Sequence, residues 1–196
     1  MIVLGLTGSI GMGKTTAAKM LSQLGCAIHD SDKVVGYALS PKGKAFEEIA
    51  VTFPLVWDKK NHLIKKDVLA DIIFSDDDEK RKLEEILHPI VQQSQQDFIL
   101  KQTRLERDIV VLDIPLLFET GAQSRVDYTI CVSAPHHIQR RRVLSRAGMS
   151  EEKFEAILKS QMPDNQKTML ADFVVQTGIG MAYSYRQLEN ILREVR

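Results

Sequence analysis

The chain carries one glycine-rich octapeptide, Gly8-Ser9-Ile10-Gly11-Met12-Gly13-Lys14-Thr15, which matches the pattern G-x-x-x-x-G-K-[ST]. An apolar run precedes it, and apolar residues with helical spacing follow it. This order of strand, loop and helix is the context that a phosphate-binding loop requires. The alternative, a glycine-rich turn without a ligand, leaves the lysine and the paired threonines unexplained. The octapeptide, called the P-loop below, therefore predicts nucleotide binding.

The residue types of the P-loop have chemical reasons. Its glycines allow backbone conformations that are closed to other residues. Successive amides can then point at phosphate oxygens, aided by the positive end of the following helix. Lys14 is expected near the β- and γ-phosphates, Thr15 offers a hydroxyl to Mg²⁺, and Thr16 is expected near the α-phosphate.

Five short apolar runs are continuous rather than alternating in polarity, which is typical of parallel strands covered on both faces. They span residues 2–7, 27–30, 109–114, 128–132 and 173–176. Segments with helical spacing separate them, including residues 14–24, 135–146 and 181–195. This alternation predicts an α/β fold of three layers, a P-loop NTPase core with a parallel sheet of about five strands.

The 196 residues fit a single P-loop unit, that is, one core domain that carries insertions. We expect its core to comprise residues 1–40, 106–146 and 172–196. Helical spacing at 65–74, 77–87 and 89–105 predicts a helical insertion over residues 41–105. A second insertion, residues 147–171, begins near Ser150 as a helix N-cap and predicts a small helical lid.

Composition excludes several classes of protein. Lys plus Arg and Asp plus Glu number 26 each, so the net charge is zero, which argues against a protein that coats nucleic acid or an anionic membrane. The chain has no apolar run of roughly 18 residues that would span a membrane. Cys26 and Cys131 lie far apart in apolar runs, which predicts reduced, buried thiols and a cytoplasmic protein.

Two classes of P-loop protein are disfavoured by missing motifs. The chain has no N-K-x-D sequence of the kind that recognises guanine. A motor ATPase places Asp-Glu after four apolar residues, but here Asp113 is followed by Ile114 and Pro115. Of the common classes of P-loop protein, the small-molecule kinases are the one that the sequence does not disfavour.

Asp30 and Asp32 close the second predicted strand. The carboxyl ends of parallel strands line the ligand crevice, so an aspartate there is expected to orient or deprotonate an attacking hydroxyl. The alternative is that both acids cap the helix that follows. We favour capping for Asp30 and catalysis for Asp32.

Arg140, Arg141, Arg142 and Arg146 form the strongest basic cluster. Arg142 and Arg146 are four residues apart, so we expect them to share a helix face. A flap that carries them is expected to close over the nucleotide and neutralise charge on the transferred phosphoryl group. The alternatives are a solvated basic face and a nucleic-acid site, which the lack of interleaved aromatic residues disfavours.

Further motifs make the chain resemble the dephospho-CoA kinase family over nearly its whole length. The segments that carry the resemblance are the P-loop, His29-Asp30-Ser31-Asp32, Leu87-His88-Pro89 with Val91, Asp113-Ile114-Pro115-Leu116-Leu117-Phe118-Glu119, Gln139 with Arg142 and Arg146, and Gln161-Met162-Pro163 with Lys167. Only the P-loop is generic, whereas His-Pro together with Pro-Leu-Leu-Phe-Glu is specific. Ala147 and Gln176-Thr177 depart from the family pattern, and the second departure falls near the adenine site of related kinases.

The resemblance implies ATP-dependent phosphorylation of the ribose 3′-hydroxyl of dephospho-CoA, the last step of coenzyme A synthesis. Its implied nucleotide-binding residues are Gly8, Gly11, Met12, Gly13, Lys14, Thr15 and Thr16, with Thr15 also placing Mg²⁺. Its implied catalytic residues are Asp32, Lys14, Arg142 and Arg146. Its implied substrate-binding residues are Asp32, His88, Asp113, Leu117 and Glu119.

Structural alternatives stay open at two of these positions. His88 precedes Pro89 and fits a helix boundary as well as a substrate contact. Glu119 fits the cap of a short helix as well as a substrate contact. Two other functions also stay open, a P-loop kinase acting on nucleosides or nucleotides and a nucleotide-dependent switch protein.

Overall fold

The computed structural model describes the backbone of all 196 residues and every side chain except that of Phe74. Strands and helices alternate along the chain. The strands are β1 (Ile2–Thr7), β2 (Ala27–Asp30), β3 (Trp57–Asp58), β4 (Leu63–Ile64), β5 (Ile109–Asp113), β6 (Tyr128–Ser133) and β7 (Phe173–Gln176). The helices are α1 (Lys14–Gln23), α2 (Ser31–Ala38), α3 (Phe46–Thr52), α4 (Lys66–Ser75), α5 (Asp77–Arg104), α6 (His136–Leu144), α7 (Glu151–Ser160), α8 (Asp164–Leu170) and α9 (Met181–Glu194).

The main sheet has five strands in the order β2-β5-β1-β6-β7. β1 pairs in parallel with β5 and β6, and β6 pairs in parallel with β7. This confirms the predicted α/β fold with five parallel strands. The carboxyl ends of β1 and β5 lie side by side, because Leu6 is in register with Asp113.

The chain divides into two compact units, Met1–His29 with Lys101–Arg196, and Asp30–Leu100. In the first unit, the continuous apolar runs are buried as predicted, with Val110 and Val111 fully inaccessible. α1 packs against α9 and against β1, so the helix that follows the P-loop is held on the sheet. Cys26 and Cys131 are both buried free thiols, as predicted.

The second unit has its own apolar core. Its centre contains the side chains of Phe46, Ile49, Val56 and Leu69, none of which is more than 4% exposed. The sequence predicted a mostly helical segment here, and the structure adds the antiparallel hairpin of β3 and β4, which was not predicted. Two-residue strands give too short a pattern for periodicity to reveal them.

α5 corrects two expectations. The sequence predicted separate helices at 77–87 and 89–105, with Pro89 as a boundary, but one helix of 28 residues passes through Pro89. The boundary interpretation of His88 is therefore wrong. A proline inside a helix costs roughly 3 kcal/mol. Leu83 and Leu87, on the helical turns before Pro89, lie in the core of the second unit. Burial of such a side chain contributes about 1.5–3 kcal/mol to the stability of the folded state.

The segment 147–171 holds the two short helices α7 and α8 that the sequence predicted. Ser150 is the N-cap of α7, and its side chain accepts a hydrogen bond from the Lys153 amide. Arg140 on α6 donates two hydrogen bonds to Glu151 on α7, at 2.6 and 2.5 Å. Within the described part of the chain, no helix is long and apolar enough to cross a membrane.

Candidate active site

The P-loop connects the end of β1 to the start of α1, and its glycines occupy positions that other residues would strain. A Cβ at Gly8 would lie 2.8 Å from the backbone oxygen of Val132. Gly11 has φ +76°, and a Cβ there would meet Val143 and Gln139 of α6 at 2.6 and 3.0 Å. The close approach of β6 and α6 therefore requires glycine at both positions.

The N-terminus of α1 is open to an anion. Its N-cap is Gly13, in a left-handed conformation, and no side chain of the described residues caps the helix. The first turn contains no acidic residue, and Thr15 and Thr16 in that turn are exposed. The first amides of a helix lack partners within the helix and carry partial positive charge. The uncapped helix, its two hydroxyls and the glycine positions fit the phosphates of a nucleoside triphosphate.

Lys14 and Asp113 form an ion pair, with 2.5 Å between Nζ and Oδ1. Their side chains are only 15% and 7% exposed. The predicted phosphate-binding lysine and a predicted substrate-binding residue are therefore in direct contact. The Thr15 hydroxyl and the Asp113 carboxylate are oxygen ligands of the kind that Mg²⁺ prefers.

Four side chains from other elements hold three consecutive residues of the P-loop. Gln139 donates to the Ile10 carbonyl at 2.8 Å, and Gln161 accepts from the Ile10 amide at 3.1 Å. Arg142 donates to the Gly11 carbonyl at 3.3 Å. Thr177 donates to the Met12 carbonyl at 2.6 Å. The loop conformation is thus fixed from outside.

Met12 offers a ligand little exposed surface, and its amide and its sulfur already have hydrogen-bond partners. Its amide donates to the Ser9 carbonyl at 3.1 Å, and its sulfur accepts from the Ala134 amide at 3.2 Å. The residue is 2% exposed. A contact of Met12 with phosphate stays a prediction.

The arrangement of the two candidate arginines differs from the expectation. α6 ends at Leu144, so Arg146 lies beyond the helix and does not share a helix face with Arg142. Arg142 is half-buried, and its second terminal nitrogen donates to the Thr177 carbonyl at 2.7 Å. Arg146 is exposed. The helical spacing of apolar residues predicts the end of a helix only to within one or two residues.

Glu119 contacts two parts of segment 147–171. Its carboxylate accepts from the Met162 amide at 2.9 Å and pairs with Lys167 at 2.7 Å. Lys167 is fully buried and also donates to the Pro115 carbonyl at 3.3 Å. Leu117, in the same motif as Glu119, is fully buried, so its side chain packs in the core.

Asp164, at the start of α8, is tied to the end of β6. Its Oδ2 accepts a hydrogen bond of 2.6 Å from the Ser133 hydroxyl. Burial raises the pKa of Asp164, while that hydrogen bond and the charge of Lys167 oppose the shift. Burial likewise raises the pKa of Cys131 to about 12, so this thiol stays protonated at neutral pH.

The candidates in the second unit lie on α2 and α5. Asp30 is the N-cap of α2, and its side chain accepts from the Lys33 amide at 3.0 Å, as the capping alternative predicted. Asp32 is exposed in the first turn of α2. His88 is exposed on α5. The catalytic and substrate-binding roles of Asp32 and His88 stay predictions.

The sequence marked Thr177 only as part of a departure from the family pattern near the adenine site, and its contacts with the P-loop and Arg142 were not predicted. Its hydroxyl contacts a P-loop carbonyl 165 positions away along the chain, so no local pattern reveals it. Gln139 and Gln161 belong to segments that carry the family resemblance, but their contacts with Ile10 were not predicted.

Comparisons with known proteins agree with the geometry. The family model described as dephospho-CoA kinase matches residues 2–182. A dephospho-CoA kinase of Agrobacterium fabrum is 46% identical over 195 residues, which cover 100% of this chain and 98% of the relative. A crystal structure of a Thermus thermophilus protein matches with a TM-score of 0.86 and 33% identity, covering 100% of this chain and 98% of that one. A dephospho-CoA kinase from Campylobacter jejuni matches with a TM-score of 0.69 and 25% identity, covering 98% and 96%. The chain belongs to the dephospho-CoA kinase family, a family of ATP-dependent small-molecule kinases.

Proposed function

We propose that this protein transfers the γ-phosphoryl group of ATP to the ribose 3′-hydroxyl of dephospho-CoA, giving CoA and ADP. The observation that carries the proposal is the convergence of family motifs on the P-loop. Asp113 contacts Lys14, while Gln139, Arg142 and Gln161 contact Ile10 or Gly11. Residues that the family resemblance named separately thus support one phosphate-binding loop.

We assign the ATP phosphates to the open face of the P-loop. The proposed contacts are with Gly8, Gly11, Met12, Gly13, Lys14, Thr15 and Thr16. The uncapped N-terminus of α1 and the two exposed hydroxyls support this assignment. Thr15 and Asp113 would hold Mg²⁺, which neutralises charge on the phosphates when it is bound.

Asp32 is the proposed group that orients or deprotonates the 3′-hydroxyl. It follows β2 by two residues, and β2 neighbours β5 in the sheet. Carboxylates that follow such strands are suited to this task. His88, Asp113, Leu117 and Glu119 are the further proposed contacts with dephospho-CoA, and for Leu117 only the backbone is suited, because its side chain is buried.

Lys14, Arg142 and Arg146 are the proposed cations that balance charge on the moving phosphoryl group. Lys14 leads the helix that follows the P-loop, and Arg142 already contacts the loop at Gly11. Arg146 is exposed beyond the end of α6, which leaves its guanidinium able to move.

Residues 147–171 are the proposed lid, and residues 41–105 are the proposed acceptor-side insertion. The lid assignment is supported by Gln161, which contacts the P-loop from the end of α7. We also propose that the enzyme works in the cytoplasm, where its two free thiols would stay reduced.

A coupled assay of ADP release tests the proposed function. Dephospho-CoA, AMP and a set of nucleosides are compared as acceptors at equal concentrations with ATP and Mg²⁺. We expect dephospho-CoA to give by far the highest kcat/KM. A higher value for AMP or a nucleoside would identify a different kinase, and slow ADP release with every acceptor would indicate a switch protein.

A further inference from the structure

The carbonyl groups of three consecutive P-loop residues each accept a hydrogen bond from a side chain. The donors are Gln139 to Ile10, Arg142 to Gly11 and Thr177 to Met12. In a trans peptide, the carbonyl and the following amide point in opposite directions, and the described residues, the P-loop included, contain no cis peptide. Holding these carbonyls therefore fixes the directions of the next amides.

Two of those amides are suited to phosphate binding. The amides of Gly11 and Gly13 follow the held carbonyls of Ile10 and Met12, so they point away from Gln139 and Thr177. The Met12 amide instead closes a turn on the Ser9 carbonyl. Fixing amides before a ligand arrives removes the cost of ordering them on binding.

Thr177 occupies the central place in this arrangement. Its hydroxyl donates to Met12 at 2.6 Å and accepts from Arg142 Nη1 at 3.0 Å. Its own carbonyl accepts from Arg142 Nη2 at 2.7 Å, and its amide donates to the Ser133 carbonyl at 2.8 Å. One residue therefore ties the P-loop, α6 and the end of β6 together.

We propose that Thr177 is a positioning residue, which holds the Met12 carbonyl and the Arg142 guanidinium so that the P-loop amides face the phosphates of the nucleotide. It acts through the loop and not on the base. The proposal deepens the proposed function, because the phosphates it concerns are those of ATP. It assigns a role to a position where the family pattern itself does not hold.

Binding measurements without an acceptor test the proposal separately from the reaction. Isothermal titration calorimetry gives Kd for ATP, for GTP and for inorganic tripolyphosphate, which has phosphates but no base. The variants are Thr177→Val, which keeps the shape without the hydroxyl, and Thr177→Ser, which keeps the hydroxyl. Thr103→Val, at an exposed position near the end of α5, is the matched control.

We expect Thr177→Val to weaken the binding of ATP and of tripolyphosphate by the same factor, about tenfold, because the Met12 carbonyl loses its donor and the Arg142 guanidinium loses one of its acceptors. Thr177→Ser should bind within about twofold of the wild type, and the ratio of ATP to GTP affinity should stay unchanged. If the wild type and the variants bind the three ligands as expected but the wild type does not phosphorylate dephospho-CoA, the proposed function is overturned and the proposed role of Thr177 is not.

Three results would overturn the role of Thr177. One is unchanged tripolyphosphate binding by Thr177→Val with a changed ratio of ATP to GTP affinity, which would indicate base recognition. Another is unchanged binding of all three ligands. The third is a Thr177→Ser variant that binds as weakly as Thr177→Val. If Thr177→Val does not fold, Thr177→Ala takes its place in the same titrations.

Discussion

The ammonium group of Lys14 lies 2.5 Å from the carboxylate of Asp113, and both side chains are almost fully enclosed. Lys14 follows β1 by way of the P-loop, and Asp113 ends the neighbouring strand β5. The sheet itself therefore brings the two together. A buried ammonium needs such a partner, because a charge left unpaired in the interior is strongly destabilising.

Replacing Asp113 by Asn should lower the free energy of unfolding by about 3 kcal/mol, since it removes a counter-charge that lies 2.5 Å from the largely buried Lys14 ammonium. Urea denaturation measures the change, with the exposed Asp97→Asn as the matched control. Adding Lys14→Met to Asp113→Asn should restore at least half of the loss. A loss no larger than that of Asp97→Asn would contradict the structural role of the pair.

The pair of Glu119 and Lys167 should respond unequally to loss of one partner. Lys167 is fully buried, whereas the side chain of Glu119 is 19% exposed and also accepts from the Met162 amide. Glu119→Gln should therefore cost about 3 kcal/mol in unfolding free energy, and Lys167→Met about half as much. Thermal and urea unfolding of both variants measure this order, and the reverse order would contradict it.

Asp164 should make stability depend on pH. Its pKa is raised above the ordinary 3.8, so the folded protein holds this proton more tightly than the unfolded chain. Its contribution to stability is full below pH 3.8 and is lost as pH rises through the folded pKa. Asp164→Asn removes the ionisation while keeping an oxygen for Ser133. Urea denaturation at pH values from about 3.5 to 7 should show the unfolding free energy of the variant rising relative to that of the wild type as pH increases. Parallel dependences on pH would contradict the raised pKa.

Asp32→Asn should lower kcat by at least about a hundredfold, the usual range for a lost general base, and change the KM for ATP by less than about twofold. Steady-state ADP release measures both constants. Asp71→Asn, an exposed aspartate on α4 in the same unit, is the control and should behave as the wild type. Full kcat in Asp32→Asn would remove this residue from the mechanism.

The local parts of the fold could be predicted from the sequence. The five main strands are continuous apolar runs. The P-loop joins β1 to α1, and neighbouring atoms leave no room for a Cβ at Gly8 and Gly11. Ser150 and Asp30 cap their helices as their residue types favour. Each of these features depends on residues close together in the chain.

The features that were missed depend on distant packing. Pro89 is a helix breaker by local rules, but α5 continues through it because apolar side chains on both sides pack against the second unit's core. Thr177 contacts Met12 only because β7 and β1 both border β6. The position of Arg146 outside α6 was missed for a local reason instead, because the spacing of apolar residues fixes a helix end only to within one or two residues.

The position of the transferred phosphate tests the central claim most directly. ADP release with ATP is measured for dephospho-CoA and for its 2′-deoxy and 3′-deoxy analogues. We expect the 2′-deoxy analogue to be phosphorylated and the 3′-deoxy analogue to give no more ADP than a reaction without acceptor. Phosphorylation of the 3′-deoxy analogue at the rate of dephospho-CoA would contradict transfer to the 3′-hydroxyl.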